Sequence, residues 1–173
     1  MKVVVRKLNK KNYNDCLKIK TFLFPESNSN QDYTNYFLKK QKCEYFVFYI
    51  NKKPCAITGW YDFDGKNVDA FMGWFGVLPE YRCKGLGSYI FDFTFKRIKK
   101  HKYNYFRTYT DKVVNADSIK LYKKKNMLCE NYSYDDNIGK KGNFVVFSKV
   151  IKSNGNDLWN NRPLNEDDNY SDI

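Results

Sequence analysis

Apolar positions along this chain change period several times, and each change marks an element. Val3-Val4-Val5-Arg6-Lys7-Leu8 reads as a first strand. Tyr13, Cys16 and Leu17 then recur at i, i+3, i+4, which predicts a helix over about 10–22 with Asn9 as N-cap and Pro25 as its stop. Glu26-Ser27-Asn28-Ser29-Asn30 reads as a loop, and Tyr33, Tyr36 and Phe37 restore helical spacing as far as about Gln41. Three strands follow in meander order, at about 44–50, 55–62 and 68–78. Asn51-Lys52-Lys53-Pro54 and Asp64-Gly65-Lys66-Asn67 supply the turns between them.

The third of these strands runs into a glycine-bearing loop, after which a long helix begins at Leu86. Its apolar residues form two stripes, Leu86, Ile90, Phe93 and Phe91, Phe95, Ile98, so it is covered on two sides. The basic run Arg97 to Lys102 suits its C-terminal end. Tyr105 to Thr110 alternates as a strand, a helix spans about 115–126, and strands follow near 128–134 and at 143–147. The element order is β-α-α-β-β-β-α-β-α-β-β. The final twenty residues are polar and acidic without periodicity, although Trp159 and Leu164 offer two anchors to a surface.

The loop Pro79-Glu80-Tyr81-Arg82-Cys83-Lys84-Gly85-Leu86-Gly87-Ser88 joins a strand to a helix N-terminus. There the first amides have no intrahelical acceptor and the helix dipole adds roughly half a positive charge, which makes an anion site. Gly85 and Gly87 remove side chains that would hold a phosphate away from those amides. A bare Gly-x-Gly also fits a plain tight turn. The absence of Gly-Lys-Ser/Thr excludes the P-loop pattern, and Ile90 stands where the dinucleotide fingerprint needs a third glycine.

The longer pattern Arg82-x-x-Gly85-x-Gly87, after a strand ending Val77-x-Pro79, resembles the acyl-CoA loop of the GNAT superfamily of N-acetyltransferases. A second segment, Asn115-Ala116-Asp117-Ser118-Ile119-Lys120-Leu121-Tyr122-Lys123-Lys124-Lys125-Asn126-Met127, is similar to that family's Asn-x-x-Ala-x-x-Leu-Tyr-x-x-x-Gly-Phe. Two departures stand out: Ser118 replaces the alanine one position later, and Asn126-Met127 replaces Gly-Phe. Asn still tolerates the left-handed conformation, and Met is still apolar. Asn115, Ser118 and Tyr122 are spaced i, i+3, i+7 and share one helix face.

The resemblance implies a single GNAT domain over residues 1–151, a mixed α/β fold with a mostly antiparallel sheet splayed at the acyl-CoA site, and a tail at 152–173. It implies acetyl-CoA as co-substrate, with pantetheine along Phe75, Gly76 and Val77. The phosphates would lie on Arg82, Cys83, Lys84, Gly85, Leu86, Gly87 and Ser88, and Asn115 and Ser118 would flank the arm. An amine would attack the thioester carbonyl directly, an amide near Gly76 and Val77 would polarise that carbonyl, and Tyr122 would protonate the leaving thiolate. Packing on the sheet is the competing role for Tyr122. The family often places an acidic base on the strand before the loop, and the only acid on that strand is Asp69, at its start. A solvated turn carboxylate competes with that role. Trp60, Tyr61, Trp74 and Phe75 are candidates for an acceptor pocket whose aromatic faces would suit a cationic amine. A β-bulge within Gly73-Trp74-Phe75-Gly76 would decide which of them face it.

Composition trims the alternatives. The net charge is +12, yet residues 152–173 carry two basic and five acidic side chains, so the rest is more basic still. The lysines are dispersed, apart from Lys99-Lys100-His101-Lys102 and Lys123-Lys124-Lys125, and nucleic-acid binding is the least favoured reading. Five cysteines, never in Cys-x-x-Cys, fit neither a disulfide framework nor a metal site. Cys83 would lie beside a helix N-terminus between Arg82 and Lys84, which favours a thiolate, although the loop needs its amide rather than its sulfur. Apolar runs as short as Phe46 to Ile50 span no membrane, and the early charges Lys2 and Arg6 leave no room for an export signal, so the expected location is cytoplasmic. The favoured acceptor is the amine of a small molecule rather than of a protein, and a homodimer is left open. A CoA-binding sensor without turnover is the alternative to an enzyme.

Overall fold

Strand pairing begins at the edge nearest the N-terminus and ends on the last two strands. A computed structural model describes residues 2–25, 30–113, 115–133, 144–152 and 158–164. Its elements are β1 (Val3–Lys7), α1 (Tyr13–Leu23), α2 (Gln31–Leu38), β2 (Cys43–Ile50), β3 (Lys53–Asp62) and β4 (Asp69–Val77). A short 3-10 turn (Pro79–Tyr81) leads to α3 (Leu86–Lys99), β5 (Tyr105–Asp111), α4 (Ala116–Lys124), β6 (Leu128–Asn131) and β7 (Phe144–Val150). The described strands form one sheet in the order β1-β2-β3-β4-β5-β7-β6. Every pair is antiparallel except β4 with β5.

Side chains alternate across this sheet, so each face recruits its own cover. On one face α3 and α4 bury Trp60, Ala70, Met72, Phe106, Val145 and Phe147 beneath Phe91, Ile98 and Tyr122. On the other, α1 and α2 lay Cys16, Ile19 and Tyr33 over Tyr45, Val47, Tyr49 and Ile57. The same face continues over β4, β5 and β7, where its cover is the segment 158–164: Trp159 and Leu164 pack on Phe71, Tyr132 and Val146. Both tail anchors read from the sequence are therefore part of the core. No helix among the described residues is long and apolar enough to cross a membrane.

The element order matches the sequence reading, and the boundaries differ for local reasons. Helix α1 starts at Tyr13 because the N-terminal asparagines bond locally. Asn9 Oδ1 accepts from Lys11 N at 2.8 Å, and Asn12 Oδ1 accepts from Asn9 N at 2.8 Å. Helix α2 stops at Leu38 as Lys39 turns left-handed at φ 56°. Strand β3 takes in Pro54, which its pairing tolerates through a register slip between Phe48 and Tyr49. Most of the loop read at 26–30, and positions 134 and 143 of the last two strands, lie outside the described residues, as does much of 152–173.

Candidate active site

The parallel pairing of β4 with β5 is only three positions long: Asp69 with Tyr105, Ala70 with Phe106 and Phe71 with Arg107. Beyond Phe71, β4 continues to Val77 while still paired to β3, and β5 continues to Asp111 while still paired to β7. The two strands diverge there, leaving a wedge whose walls are Met72–Val77 and Thr108–Asp111. Inside that wall, Gly59 pairs with Gly73 but Ile57 with Gly76, so β4 carries one extra residue. The bulge falls at Trp74, whose φ is +48°.

The bulge settles which aromatics face where. Phe75 lies on the α3/α4 side, 6.2 Å from the Tyr122 ring, and a Cβ on Gly87 would stand 4.0 Å from its Cζ. Trp74 lies on the α1 side, edge-on to Phe24 at 5.3 Å, with the Lys20 ammonium 4.5 Å above its ring. A side chain at Gly76 would put its Cβ 2.5 Å from Leu23 Cδ1, so α1 closes directly onto this wall. Trp60 belongs to the α3 side, where its Nε1 donates to Glu44 at 3.1 Å, away from Trp74. Tyr61 stacks on Phe71 under the C-terminal segment.

The mouth of the wedge is the glycine loop. Leu78 N donates to Cys55 O at 2.9 Å, and the 3-10 turn beginning with Pro79 then swings the chain off the sheet. Arg82 folds back to donate from Nε to Val77 O at 2.9 Å, and Lys84 Nζ donates to Glu80 O at 2.8 Å. Cys83 and Gly85 are both left-handed, at φ 58° and 79°. This places Gly85 as the N-cap of α3, where its carbonyl accepts from Tyr89 N at 3.1 Å. Leu86 is buried and anchors the helix by its side chain, so only its backbone faces the loop, while Gly87 and Ser88 complete the first turn. A Cβ on Gly85 would meet nothing within 4 Å, and a cleft of about 350 Å³ lined by Val3, Lys84, Gly85, Leu86 and Tyr89 opens beside it. The cradle read from the sequence is therefore open where a phosphate would approach.

Helix α4 forms the roof. Asn115 is its N-cap, and Ser118 and Tyr122 follow on the same face. Tyr122 is buried between Phe75 of β4, Phe91 of α3 and Phe147 of β7. Burial raises the proton affinity of its phenol well above the ordinary tyrosine value, and hydrogen bonds with Thr108 and Ser118 offset only part of this. Thr108 was not singled out from the sequence, since nothing local marks a threonine in an alternating strand.

Asp69 sits at the closed end of the wedge. It is fully buried, and both oxygens are engaged: Arg107 Nε donates to Oδ1 at 2.6 Å, and Arg162 Nη2 donates to Oδ2 at 2.6 Å. Arg107 also donates to Ser148 and lies over the rings of Tyr105 and Trp159. Neither arginine carries a sequence signal, because their partner is 38 and 93 residues away.

Comparison with known proteins agrees with this geometry. The model of the acetyltransferase (GNAT) family matches residues 11–127, from α1 through the loop to the end of α4. No curated protein matches the sequence. Among solved structures the chain is similar in fold to Arabidopsis thaliana Naa50 in complex with the bisubstrate analogue CoA-Ac-MVNAL, at 20% identity and TM-score 0.69, covering 87% of this chain and 99% of that one. It is similar to an N-acetyltransferase from Staphylococcus aureus, at 16% identity and TM-score 0.68, covering 88% and 100%. It is also similar to a ribosomal-protein-alanine N-acetyltransferase from Brucella melitensis, at 12% identity and TM-score 0.68, covering 85% and 99%. With the family match running through the loop, the splayed strands and the roof helix, the chain belongs to the acetyltransferase (GNAT) family and is an acyl-CoA-dependent N-acetyltransferase.

Proposed function

We propose that this enzyme transfers acetyl from acetyl-CoA to the primary amine of a small molecule, with Tyr122 as general acid. The observation that carries the reading is the wedge between β4 and β5, which has Tyr122 in its roof and an open glycine cradle at its mouth. The fit of the donor rests on that cradle. The backbone of Cys83 to Ser88 would hold the pyrophosphate, Arg82 and Lys84 would add positive charge, and the freed edge of Phe75, Gly76 and Val77 would pair with pantetheine. Asn115 and Ser118 flank the arm from the roof. Acetyl-CoA, when bound, supplies a thioester whose acetyl carbon is the electrophile.

Tyr122 holds its proton firmly, because burial disfavours the phenolate. It is thus charged with a proton across the working range and gives it to the departing sulfur. An amide near Gly76 and Val77 would steady the negative charge that develops on the carbonyl oxygen. We assign Asp69 to its two arginines rather than to proton abstraction, since it is fully buried and each of its oxygens is paired to an arginine. The acceptor then loses one proton to solvent before it attacks, and the second proton that its nitrogen sheds as the amide forms replaces the one Tyr122 gives to the sulfur.

The α1 face supplies the acceptor wall in this reading. Its indole, Trp74, already carries the Lys20 ammonium, so a second positive charge there is disfavoured and a monoamine is preferred to a polyamine. A cytoplasmic location goes with this reading. Release of free thiol from acetyl-CoA, measured over a panel of monoamines, polyamines and peptides, tests it. Turnover confined to peptides would reject the small-molecule acceptor, and tight CoA binding without turnover on any amine would favour the sensor.

A further inference from the structure

Arg162 belongs to a segment that looks like a tail in the sequence, yet its guanidinium ends at the base of the catalytic wedge. The segment is pinned from several directions. Trp159 is fully buried, its backbone N–H and that of Asn160 donate to the Glu130 carboxylate of β6, and Leu164 N donates to the Tyr132 hydroxyl at 3.0 Å. The Arg162 guanidinium lies over the Trp159 ring, 3.6 Å from its centroid, its carbonyl accepts the indole N–H at 2.7 Å, and its Nη2 donates to Asp69. Its side chain keeps 43% of its surface exposed, whereas Asp69 is wholly buried.

The position of Asp69 gives this contact its meaning. Asp69 and Arg107 are diagonal neighbours on the two strands that pair in parallel among the described residues, within the three pairs that precede the wedge. Their ion pair clips β4 to β5, and the bond from Arg107 to Ser148 clips β5 to β7. Arg107 is the last position of β5 paired with β4. The next residue, Thr108, turns to the opposite face and meets the Tyr122 hydroxyl. One short run of backbone therefore joins the C-terminal clasp to the proposed acid. Removing Arg162 leaves a buried carboxylate with half its partners, in the shortest strand pairing of the central sheet.

We infer that Arg162 is a positioning residue for acetyl transfer: through Asp69 and Arg107 it fixes the apex of the β4–β5 wedge and thereby the placement of Thr108 and Tyr122. The inference rests on the assignment of Tyr122 as general acid. It extends the working site to the C-terminal segment, whose Arg162 acts through Asp69 and Arg107. The apex sets the angle between the two walls, so a small shift there misaligns the phenol with the sulfur without emptying the phosphate cradle.

The test is steady-state kinetics of Arg162→Met and Arg162→Lys, each alone and combined with Tyr122→Phe, in the full-length chain. Arg162→Met is expected to lower kcat about tenfold while the KM for acetyl-CoA moves less than about twofold. Arg162→Lys, which keeps a cation within reach of Asp69, should recover most of the loss. In the Tyr122→Phe background the Arg162→Met loss should shrink to less than about twofold, because a misplaced acid costs nothing once the acid is gone. Faster hydrogen exchange at the Thr108 to Thr110 amides in Arg162→Met gives a readout that is independent of turnover.

Full kcat in Arg162→Met, or the same loss in both backgrounds, overturns the inference while leaving the acid assignment standing. A lowered melting temperature with intact kcat overturns it as well, since the clasp would then be structural only. Wild-type turnover in Tyr122→Phe alone removes the acid assignment, and the inference falls with it.

Discussion

Thr108 meets the hydroxyl of Tyr122 from the first position of β5 that no longer pairs with β4. The point where the sheet opens is thus also the point where the buried phenol finds one of its two hydrogen-bond partners. An ordinary tyrosine packed on a sheet needs no such coincidence. It places an ionisable group with a displaced proton affinity at the inner end of the wedge, in the arrangement expected for an acid that must stay protonated until a leaving group arrives.

Tyr122→Phe should therefore lower kcat by about a hundredfold with little change in the KM for acetyl-CoA, the signature of a group used mainly in the transition state. As an acid the phenol would have to be protonated, and its raised proton affinity keeps it so. The pH profile of kcat should accordingly show no alkaline decline from this group below about pH 10, the value for an ordinary tyrosine. Thiol release measured from pH 6 to 10 checks both statements. A decline near pH 8 that disappears in the Phe variant would contradict them.

At the mouth of the wedge the sensitive residue is Gly85, with φ 79° and open space where a Cβ would lie. Gly85→Ala must hold a side chain in the left-handed region, at a cost of about 1–2 kcal/mol. It also brings a methyl group into the phosphate approach. The expected result is a KM for acetyl-CoA raised about tenfold with kcat within about twofold, since a loop that only holds the phosphates would bind ground and transition states alike. Calorimetric titration with CoA should show the same loss of affinity. Unchanged affinity would mean that the phosphates lie elsewhere.

Much of this site was legible in the sequence because it is local. The loop 82–88 and the face of Asn115, Ser118 and Tyr122 each fall within one turn or one helix, where spacing alone fixes direction. The bulge was foreseeable from Gly73-Trp74-Phe75-Gly76 but its register was not. One residue's difference sends Trp74 to the α1 face and Phe75 to the roof, and only the pairing of Gly59 with Gly73 and Ile57 with Gly76 decides it. The cluster of Asp69, Arg107 and Arg162 left no trace at all. Its members are joined by tertiary contact across most of the chain, and a buried ion pair has no periodicity to betray it. The same holds for Trp60, whose indole is claimed by Glu44 rather than by the acceptor face.

Two glycines facing each other across β3 and β4 should respond very differently to alanine. A Cβ on Gly59 would sit 2.1 Å from Tyr45 Cδ1 and 3.0 Å from the Glu44 carbonyl, and the Tyr45 ring is itself wedged edge-on between Tyr33 and Tyr36. On Gly73 the nearest atoms are at 3.4 Å, an ordinary contact with Tyr61. Gly59→Ala is expected to destabilise the fold by about 1–3 kcal/mol, and Gly73→Ala by less than about 1 kcal/mol or to stabilise it slightly. Urea unfolding of the two variants gives the comparison directly. Equal losses would show that Tyr45 can give way.

Glu44 links stability to pH at the end of the sheet far from the glycine loop. Burial alone would raise its proton affinity, but hydrogen bonds from Arg97, Lys7 and Trp60 outweigh that and hold its pKa at about 2. Arg97 donates from Nη2 at 2.6 Å and Lys7 at 3.0 Å, and His101 lies 3.8 Å away. Burial also lowers the His101 pKa, despite the pull of Glu44, so the imidazole is neutral at pH 7 and gains charge only on acidification. The folded-state value of Glu44 lies below the unfolded value near 4.3, so its contribution is complete above about pH 5 and is lost as pH falls toward 2. Glu44→Gln should cost up to about 3 kcal/mol at pH 7, and the gap to wild type should close as pH falls from about 5 to 2. Denaturant midpoints taken at pH 7, 5 and 3 measure that gap. A gap independent of pH would mean that the glutamine loses packing rather than charge, and that the three donors stabilise Glu44 far less than their geometry implies.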